Sequence, residues 1–368
     1  MEHIEMKKIL HITECLGSGV LNYIKNISTW QAAEYDVYVA YATRPETPEN
    51  FREQFNSKIH FIFVEGFTRE IEPNNDLRAF FNIKKIVRRI RPDLIHLHST
   101  KAGVIGRWAI NCNKFKVLYS PHAYSFLMMN CSKTKRNMYK LIEKISDKKK
   151  CLTITDIDGE LEASRQVTKH AICIANGINP DEMDTVITNA QKYRCKKKKN
   201  KPVITMLGKI VEQKNPYLFN ELASEFKDIN FVWIGSGPLK NVLDSPNVTI
   251  TGWLSREEAI ARIMDSDIFL FPSAWESLSI ALMEVMYIGK PCIVSDADGN
   301  KDVIRNGKNG IVCKCKSEYI NAINELLLDS NKAIAYGKEA RQDIINKYNV
   351  YSMENEYKKL FLDIHLNY

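Results

Sequence analysis

Two carboxylates stand eight positions apart in Phe271-Pro272-Ser273-Ala274-Trp275-Glu276-Ser277-Leu278-Ser279-Ile280-Ala281-Leu282-Met283-Glu284. The apolar run Ile268–Phe271 reads as a buried strand that Pro272-Ser273 ends, and helical spacing follows from about Leu278 to Ile288. Glu276 is then expected in a strand-to-helix loop and Glu284 about two turns into the helix. Amides of the first helical turn, near Leu278 and Ser279, form an anion site between them. Two acceptors bracketing a phosphate-sized anion site suit a sugar nucleotide. One carboxylate can hold sugar hydroxyls, the other ribose hydroxyls, and the amides the diphosphate.

Further candidates follow other strands. Gly208-Lys209-Ile210-Val211-Glu212-Gln213-Lys214 puts Lys209 and Lys214 just beyond Val203–Leu207, where two cations can neutralise a leaving diphosphate without a metal. Gly235-Ser236-Gly237-Pro238 follows Phe231–Ile234 and reads as a tight turn open to a ligand. Gly17-Ser18-Gly19 holds the matching place after the first strand. Asn22 stands where a third glycine would complete G-x-G-x-x-G, which disfavours a nicotinamide site. His122 follows the strand Val117–Ser120 and can hydrogen-bond a sugar or assist proton movement. His96 and His98 alternate in a strand and read as packing or a cleft edge, not a metal pair. Asp265-Ser266-Asp267 looks like a metal-binding D-x-D pair but precedes its strand, the wrong end for a ligand.

Composition narrows the class. The 368 residues suit two domains, and 45% apolar with 26% charged residues is ordinary for a water-exposed globular protein. No apolar run is long enough to span a membrane, and the N-terminus has no apolar leader segment, so a cytoplasmic protein is expected. Nine cysteines at irregular spacing, without C-x-x-C, read as reduced thiols, with Cys313 and Cys315 alternating in a strand. The net charge of +8 gathers in Lys84, Lys85, Arg88, Arg89 and Arg91 and again across Lys133–Lys150. Aliphatics interleaved at helical spacing make these outward helix faces, either plainly solvated or docking on an anionic membrane surface. No nucleic-acid module accompanies them.

Strand-like and helix-like segments alternate twice. Ile9–Thr13, Val37–Ala42, Ile59–Val64, Leu94–His98, Val117–Ser120, Cys151–Thr155 and Ala171–Ile174 make one series. Val203–Leu207, Phe231–Ile234, Val248–Thr251, Ile268–Phe271 and Cys292–Val294 make the other. Such alternation implies an α/β protein of two Rossmann-like, doubly wound parallel sheets whose ligands bind beyond the carboxyl ends of the strands, in an interdomain cleft. The expected division is an N-terminal, acceptor-binding domain at 1–188, a lysine-rich linker at 189–201, a donor domain at 202–345, and a C-terminal helix at 346–368 packing back on the first domain.

These residues resemble the family-4 retaining glycosyltransferases of GT-B fold over nearly the whole chain. Glu276 and Glu284 match the family's E-x7-E, Lys209 and Lys214 its basic pair, and Gly235, Gly237 and Pro238 its G-x-G-P turn. His122 matches its cleft histidine. Asn176-Gly177-Ile178-Asn179 matches N-G-[IV]-D with asparagine for aspartate, and Asp298–Gly310 matches the later glycine-rich turn. His98–Arg107 and Pro121–Phe126 look like the bacterial branch that builds capsule, O-antigen or exopolysaccharide. Ser277-Leu278 departs from the commoner Gly-Phe, and Ser18-Gly19 from paired glycines. The resemblance implies metal-independent transfer of a hexose, with retention, from a nucleotide-diphosphate sugar to a lipid-linked saccharide, without a cofactor and with UDP favoured over GDP. It implies a peripheral place on the inner membrane face. It assigns Lys209 and Lys214 to the diphosphate, Glu276 and His122 to the sugar, Glu284 to the ribose and Trp253 to the base. Gly17, Gly19, Gly208, Gly235, Gly237, Pro238, Ser277, Leu278 and Ser279 line the donor. Two other readings remain: a sugar-nucleotide 2-epimerase of the same fold, and a non-catalytic nucleotide-sugar-binding protein.

Overall fold

The computed structural model describes residues 6–45, 47–68, 70–128, 131–195 and 200–366, with the side chain of Ser18 outside that description. The lysine run at 196–199, read above as part of a linker, lies outside it. The chain forms two compact units, Met1–Asn176 with Met353–Tyr368, and Gly177–Ser352.

The first unit runs β1 (Lys8–Thr13), α1 (Ser18–Glu34), β2 (Asp36–Tyr41), β3 (His60–Phe63), α2 (Pro73–Ile90), β4 (Leu94–His98), α3 (Thr100–Ala109), β5 (Lys116–Ser120), α4 (Lys133–Asp147), β6 (Leu152–Thr155), α5 (Asp158–Ser164) and β7 (Ala171–Cys173). Its sheet has the order β3-β2-β1-β4-β5-β6-β7, all parallel. A parallel strand covered on both faces reads as a nearly continuous apolar run, as in Ile9-Leu10 and Leu94-Ile95. One face packs on α1, through Tyr23, Ile24 and Ile27, and on Met353, Tyr357 and Phe361 of the C-terminal helix. The other packs on α2 and α3, through Ile83, Ile86, Val87 and Ala102. Each such buried aliphatic or aromatic side chain stabilises the fold by about 1.5–3 kcal/mol.

The second unit runs α6 (Pro180–Ala190), β8 (Val203–Leu207), α7 (Pro216–Glu225), β9 (Asn230–Ile234), β10 (Val248–Ile250), α8 (Arg256–Met264), β11 (Ile268–Phe271), α9 (Ile280–Ile288), β12 (Cys292–Ser295), α10 (Asp298–Val303), β13 (Ile311–Cys313), α11 (Lys316–Leu328) and α12 (Ser330–Asn346). The last helix, α13 (Val350–Asp363), carries the chain back into the first unit from Met353 onward. The second sheet is also parallel, in the order β10-β9-β8-β11-β12-β13.

The boundary differs from the expected 188/189. The units divide at Asn176/Gly177 because α6 belongs with the second: Met183, Val186 and Ala190 are buried there and Tyr287 donates to Asp184. Gly177 sits where an added Cβ would lie 2.3 Å from the Asn349 amide nitrogen, so this crossing demands glycine. Arg194 and Cys195 are fastened to Asp265, by Nε–Oδ1 at 2.8 Å and N–Oδ2 at 2.7 Å, so the chain before the lysine run is held rather than loose. Cys315 is not in a strand. β13 ends at Cys313 and Cys315 caps α11.

Candidate active site

In the second unit the chain leaves β8 through Gly208 (φ +152°), exposes Lys209, and turns back at 212–214. Lys214 then reaches Glu276, with Nζ 2.5 Å from Oε1 and 4.4 Å from the centre of the Phe271 ring. The two side chains are only 15% and 7% exposed, so this charge-assisted bond is worth more than a surface pair. Lys209, by contrast, has no ion-pair partner among the described residues. The two lysines that looked equivalent in sequence are a held cation and an available one.

The loop carrying Glu276 is clamped from both sides. Ala274 N–H donates to the Gln213 carbonyl at 2.8 Å, and Gln213 Nε2 donates to the Trp275 carbonyl at 3.1 Å. Gly299 N–H donates to the Glu276 carbonyl at 3.1 Å, and an added Cβ on Gly299 would lie 1.8 Å from the Ser277 carbonyl oxygen. Gln213 and Gly299 are supporting residues that a motif search passes over, because their contacts join segments 22 to 62 positions apart.

The helix after the loop begins later than its periodicity suggests. Ser279 is its cap, accepting from Leu282 N–H, and α9 starts at Ile280. A Ser with extended backbone placed before an apolar run is a strong stop for helix extension toward the N-terminus. Ser277 and Leu278 are therefore loop residues, and Glu284 is the fifth residue of the helix, nearer its start than expected. Glu284 is buried and held by Arg256, with Nη2 at 2.6 Å and Nε at 3.0 Å from Oε1. Arg256 also binds Glu182, from α6. Arg256 was not foreseen, since nothing in its local sequence distinguishes it from other helix-start arginines.

The glycine turn after β9 serves the neighbouring loop as well as a ligand. A Cβ on Gly235 would lie 2.2 Å from the Gly208 carbonyl oxygen, and one on Gly237 would lie 2.3 Å from that of Ile210. Trp233 Nε1 donates to the same Gly208 carbonyl at 2.8 Å. Pro238 is exposed beyond the turn. Gly208, Gly235, Trp253, Arg256 and Glu284 line one hollow of about 240 Å³ at the carboxyl ends of β8 and β9. Trp253 is 71% exposed there, an uncovered indole at the rim. A larger hollow, about 730 Å³, lies by Asp267 and Lys290, where β11 and β12 begin. Parallel-sheet ligands gather at the opposite ends of strands, so the smaller hollow is the candidate. Asp265 and Asp267 are structural: Asp267 Oδ2 accepts from Val203 N–H at 2.8 Å.

In the first unit the carboxyl ends of β4 and β5 hold three strained residues, Ser99 (φ +76°), His122 (φ +50°) and Ala123 (φ +80°). Left-handed backbone at side-chain-bearing residues costs free energy and clusters at functional sites. His122 Nδ1 lies 2.9 Å from Asp156 Oδ2, and its Nε2 lies 3.1 Å from His98 Nδ1. Both ring nitrogens are thus engaged inside the unit, not turned outward as expected for a direct sugar contact. Burial alone would push its pKa down, but the charge of Asp156 and the bond to it outweigh burial and raise it. Gly17 caps α1 with extended backbone, and an added Cβ on Gly19 would meet open space. His11, His96 and His98 bring ring nitrogens within 4.8 Å of one another, the one such group among the described residues. His11 and His98 use both nitrogens, and His96 its Nε2, in hydrogen bonds to side chains, so the group is a polar network.

Comparison with known proteins places this architecture. Over 98% of the chain the fold follows sucrose-phosphate synthase from Thermosynechococcus elongatus, with a TM-score of 0.82 at 16% identity and 99% of that chain covered. Over 97% it follows HepE from Anabaena in complex with UDP and glucose, with a TM-score of 0.77 at 15% identity and all of that chain covered. Two family models match, Glycosyltransferase Family 4 at residues 17–182 and Glycosyl transferases group 1 at residues 188–343. The fold is that of the GT-B glycosyltransferases. The chain belongs to glycosyltransferase family 4 and is an enzyme of that class, not a 2-epimerase. It is 27% identical to the UDP-Gal:alpha-D-GlcNAc-diphosphoundecaprenol alpha-1,3-galactosyltransferase of Escherichia coli, over 85% of this chain and 86% of that one. It is 24% identical to the N,N'-diacetylbacillosaminyl-diphospho-undecaprenol alpha-1,3-N-acetylgalactosaminyltransferase of Campylobacter jejuni, over 82% and 85% respectively.

Proposed function

We propose that the protein transfers a hexose, with retention, from a nucleotide-diphosphate sugar to a saccharide on an undecaprenyl-type lipid diphosphate, in bacterial surface-polysaccharide synthesis. The observation that carries the reading is the Lys214–Glu276 pair beside the hollow lined by Gly208, Gly235, Trp253 and Glu284. Lys209 and Lys214 bind the diphosphate, Glu276 the sugar hydroxyls, Glu284 the ribose, and the exposed Trp253 ring the base. Ser277, Leu278, Ser279, Gly237 and Pro238 border this donor site. Fixed cations and helix amides stabilise the departing diphosphate without a metal. UDP is the favoured nucleotide, in line with the donor in the name of the Escherichia coli relative.

A lipid-linked acceptor requires a membrane surface, and no helix among the described residues is long and apolar enough to cross one. On α4, Met138, Leu141 and Ile145 are exposed at i, i+3 and i+7, with Lys133, Lys140, Lys144 and Lys148 on the same helix or just beyond it. The exposed Trp108 of α3 lies beside them, donating from Nε1 to Ser146 Oγ at 3.1 Å. An apolar stripe flanked by lysines suits the anionic inner face of the cytoplasmic membrane. The buried Arg107–Glu143 pair, 2.6 Å apart, fixes α4 to α3 behind that stripe.

The deciding experiment is a thermal melt against UDP, GDP, ADP and their sugars, with Lys209→Ala/Lys214→Ala as control. A nucleotide at about 100 times its dissociation constant adds about 2.7 kcal/mol of stability. A shift with UDP that the double variant loses is expected. No shift with any nucleotide would remove the donor-site assignment. Release of free UDP from UDP-galactose only when a GlcNAc-diphospholipid is present separates transfer from simple binding.

A further inference from the structure

Five side chains in the first unit are joined end to end. Gln31 Oε1 lies 2.7 Å from His11 Nε2, and His11 Nδ1 lies 2.9 Å from His98 Nε2. His98 Nδ1 lies 3.1 Å from His122 Nε2, and His122 Nδ1 lies 2.9 Å from Asp156 Oδ2. The sheet makes this possible. His11 of β1 and His96 of β4 are register partners, and His98 follows two residues on, so all three project from one face. Gln31, from α1, closes the chain at one end, and Asp156, after β6, at the other.

Each of the four contacts must contain one proton, and counting them fixes the charge. With Gln31 presenting its carbonyl oxygen and Asp156 ionised, all four protons sit on three imidazole rings. Two rings are then neutral and one is an imidazolium. If the Gln31 amide turned over, its nitrogen would supply the first proton, the three contacts from Gln31 to His122 would reverse while His122 Nδ1 still donated to Asp156, and all three rings would be neutral. The two arrangements differ by one proton. In the reversed one Asp156 is a buried carboxylate beside a neutral ring, and His122 is its one ion-pair partner among the described residues. An uncompensated buried charge costs more than the neutral Gln31 amide NH₂ that the first arrangement leaves without a partner.

We propose that Gln31, His11 and His98 are positioning residues that hold His122 as an imidazolium, with protons on both ring nitrogens, by fixing the direction of every hydrogen bond in the chain. The surroundings agree. Burial pushes His11 down to about 4 and His98 well below its ordinary value, so the charge settles at the far end. There His122 faces Asp156, Glu160 of α5 and Glu14 after β1. Glu14 in turn is faced by Arg44 and Lys101. The Tyr23 ring from α1 meets His122 edge-on at 4.4 Å, and its hydroxyl meets that of Tyr357 from α13. The His96 ring lies tilted against His98, centroids 4.1 Å apart, and its Nε2 is 2.9 Å from Ser120 Oγ. The charge of His122 is therefore set some distance from the ring itself. The consequence for transfer rests on the sugar contact that the family resemblance implies for His122; the protonation pattern does not.

The test is ¹⁵N NMR of the full chain labelled at histidine, from pH 5.5 to 9. At pH 7 His11 and His98 should carry their proton on Nε2 alone and His122 on both nitrogens. Gln31→Leu removes the acceptor and frees the chain to reverse, so His122 should bind its second proton at least tenfold more weakly. Gln31→Glu, which only accepts, should tighten it. Protons on Nδ1 of His11 and His98 in the unaltered protein would overturn the proposal, and this needs no variant to fold. So would a His122 titration unmoved by either substitution. If the ring titrations move as stated but the pH profile of kcat/KM does not, the chain stands and the substrate role of His122 falls.

Discussion

At the carboxyl ends of β8, β9 and β11 the charged side chains are either joined in small ion pairs, as Lys214 is with Glu276, or exposed, as Lys209 is. At the ends of β1, β4 and β5 the polar side chains are buried and joined to one another, from Gln31 through to Asp156. A single pair can exchange its partner for a ligand if, as proposed, an incoming diphosphate replaces one charge with another and sugar hydroxyls meet the released carboxylate. A buried chain cannot, because breaking any link strands a polar group away from water. The second edge is built for exchange and the first for a fixed protonation state.

Removing Lys214 tests the exchangeable edge most severely. Lys214→Ala should lower turnover about 10²–10³-fold, the loss of roughly 2.7–4 kcal/mol of leaving-group stabilisation. It should also destabilise the protein, by about 1–3 kcal/mol in a denaturant titration, since the largely covered Glu276 carboxylate loses its cation. Lys209→Ala should raise the KM for the donor about tenfold with an unchanged denaturation midpoint, having no partner to strand. Equal effects of the two on stability would erase the distinction between held and available cation. Gly235→Ala should cost about 1–3 kcal/mol in the same titration, because the added carbon overlaps the Gly208 carbonyl at a backbone φ of +138°.

Acid titration addresses the buried edge. His11 is pushed down to about 4, and His96 and His98 well below the usual value, all chiefly by burial. The unfolded chain therefore takes up protons that the folded one refuses, and the melting temperature should fall as pH drops from about 6.5 toward 4. Glu160, pushed up to about 7 by burial and then by Asp156, acts in the other direction, weakening the fold as pH rises from about 4.5 to 7. Glu14 is likewise raised by burial, so two carboxyls oppose three imidazoles; the fall on acidification should still dominate, and His11→Asn should reduce it. A melting temperature flat from pH 6.5 to 4.5 would deny the neutral histidines. The smallest effect concerns the membrane stripe: Leu141→Glu/Ile145→Glu should weaken binding to anionic vesicles several-fold, more than Lys84→Gln/Lys85→Gln/Arg88→Gln/Arg89→Gln does.

Much of the fold was legible because it depends on local patterns. Apolar runs such as Ile268–Phe271 and Val203–Leu207 mark strands buried on both faces, and the two series of them announce two parallel sheets. The glycines at 208, 235 and 237 and the lysines and glutamates beyond strand ends announce a site on the second sheet. The domain boundary was not legible. A lysine run looks like a linker, whereas the crossing at Asn176/Gly177 is decided by α6 packing among the helices of the second unit.

Residue type and spacing by themselves determined the fold class and pointed to a candidate edge of the second sheet, because strand burial and helix starts are governed by neighbours within a few positions. Tertiary structure alone decided which lysine meets Glu276, that Arg256 holds Glu284, and that Gln31, His11, His98 and His122 are consecutive links. Those outcomes depend on register between strands and on helices docked over them, so they join residues 20 to 87 positions apart that no local pattern connects.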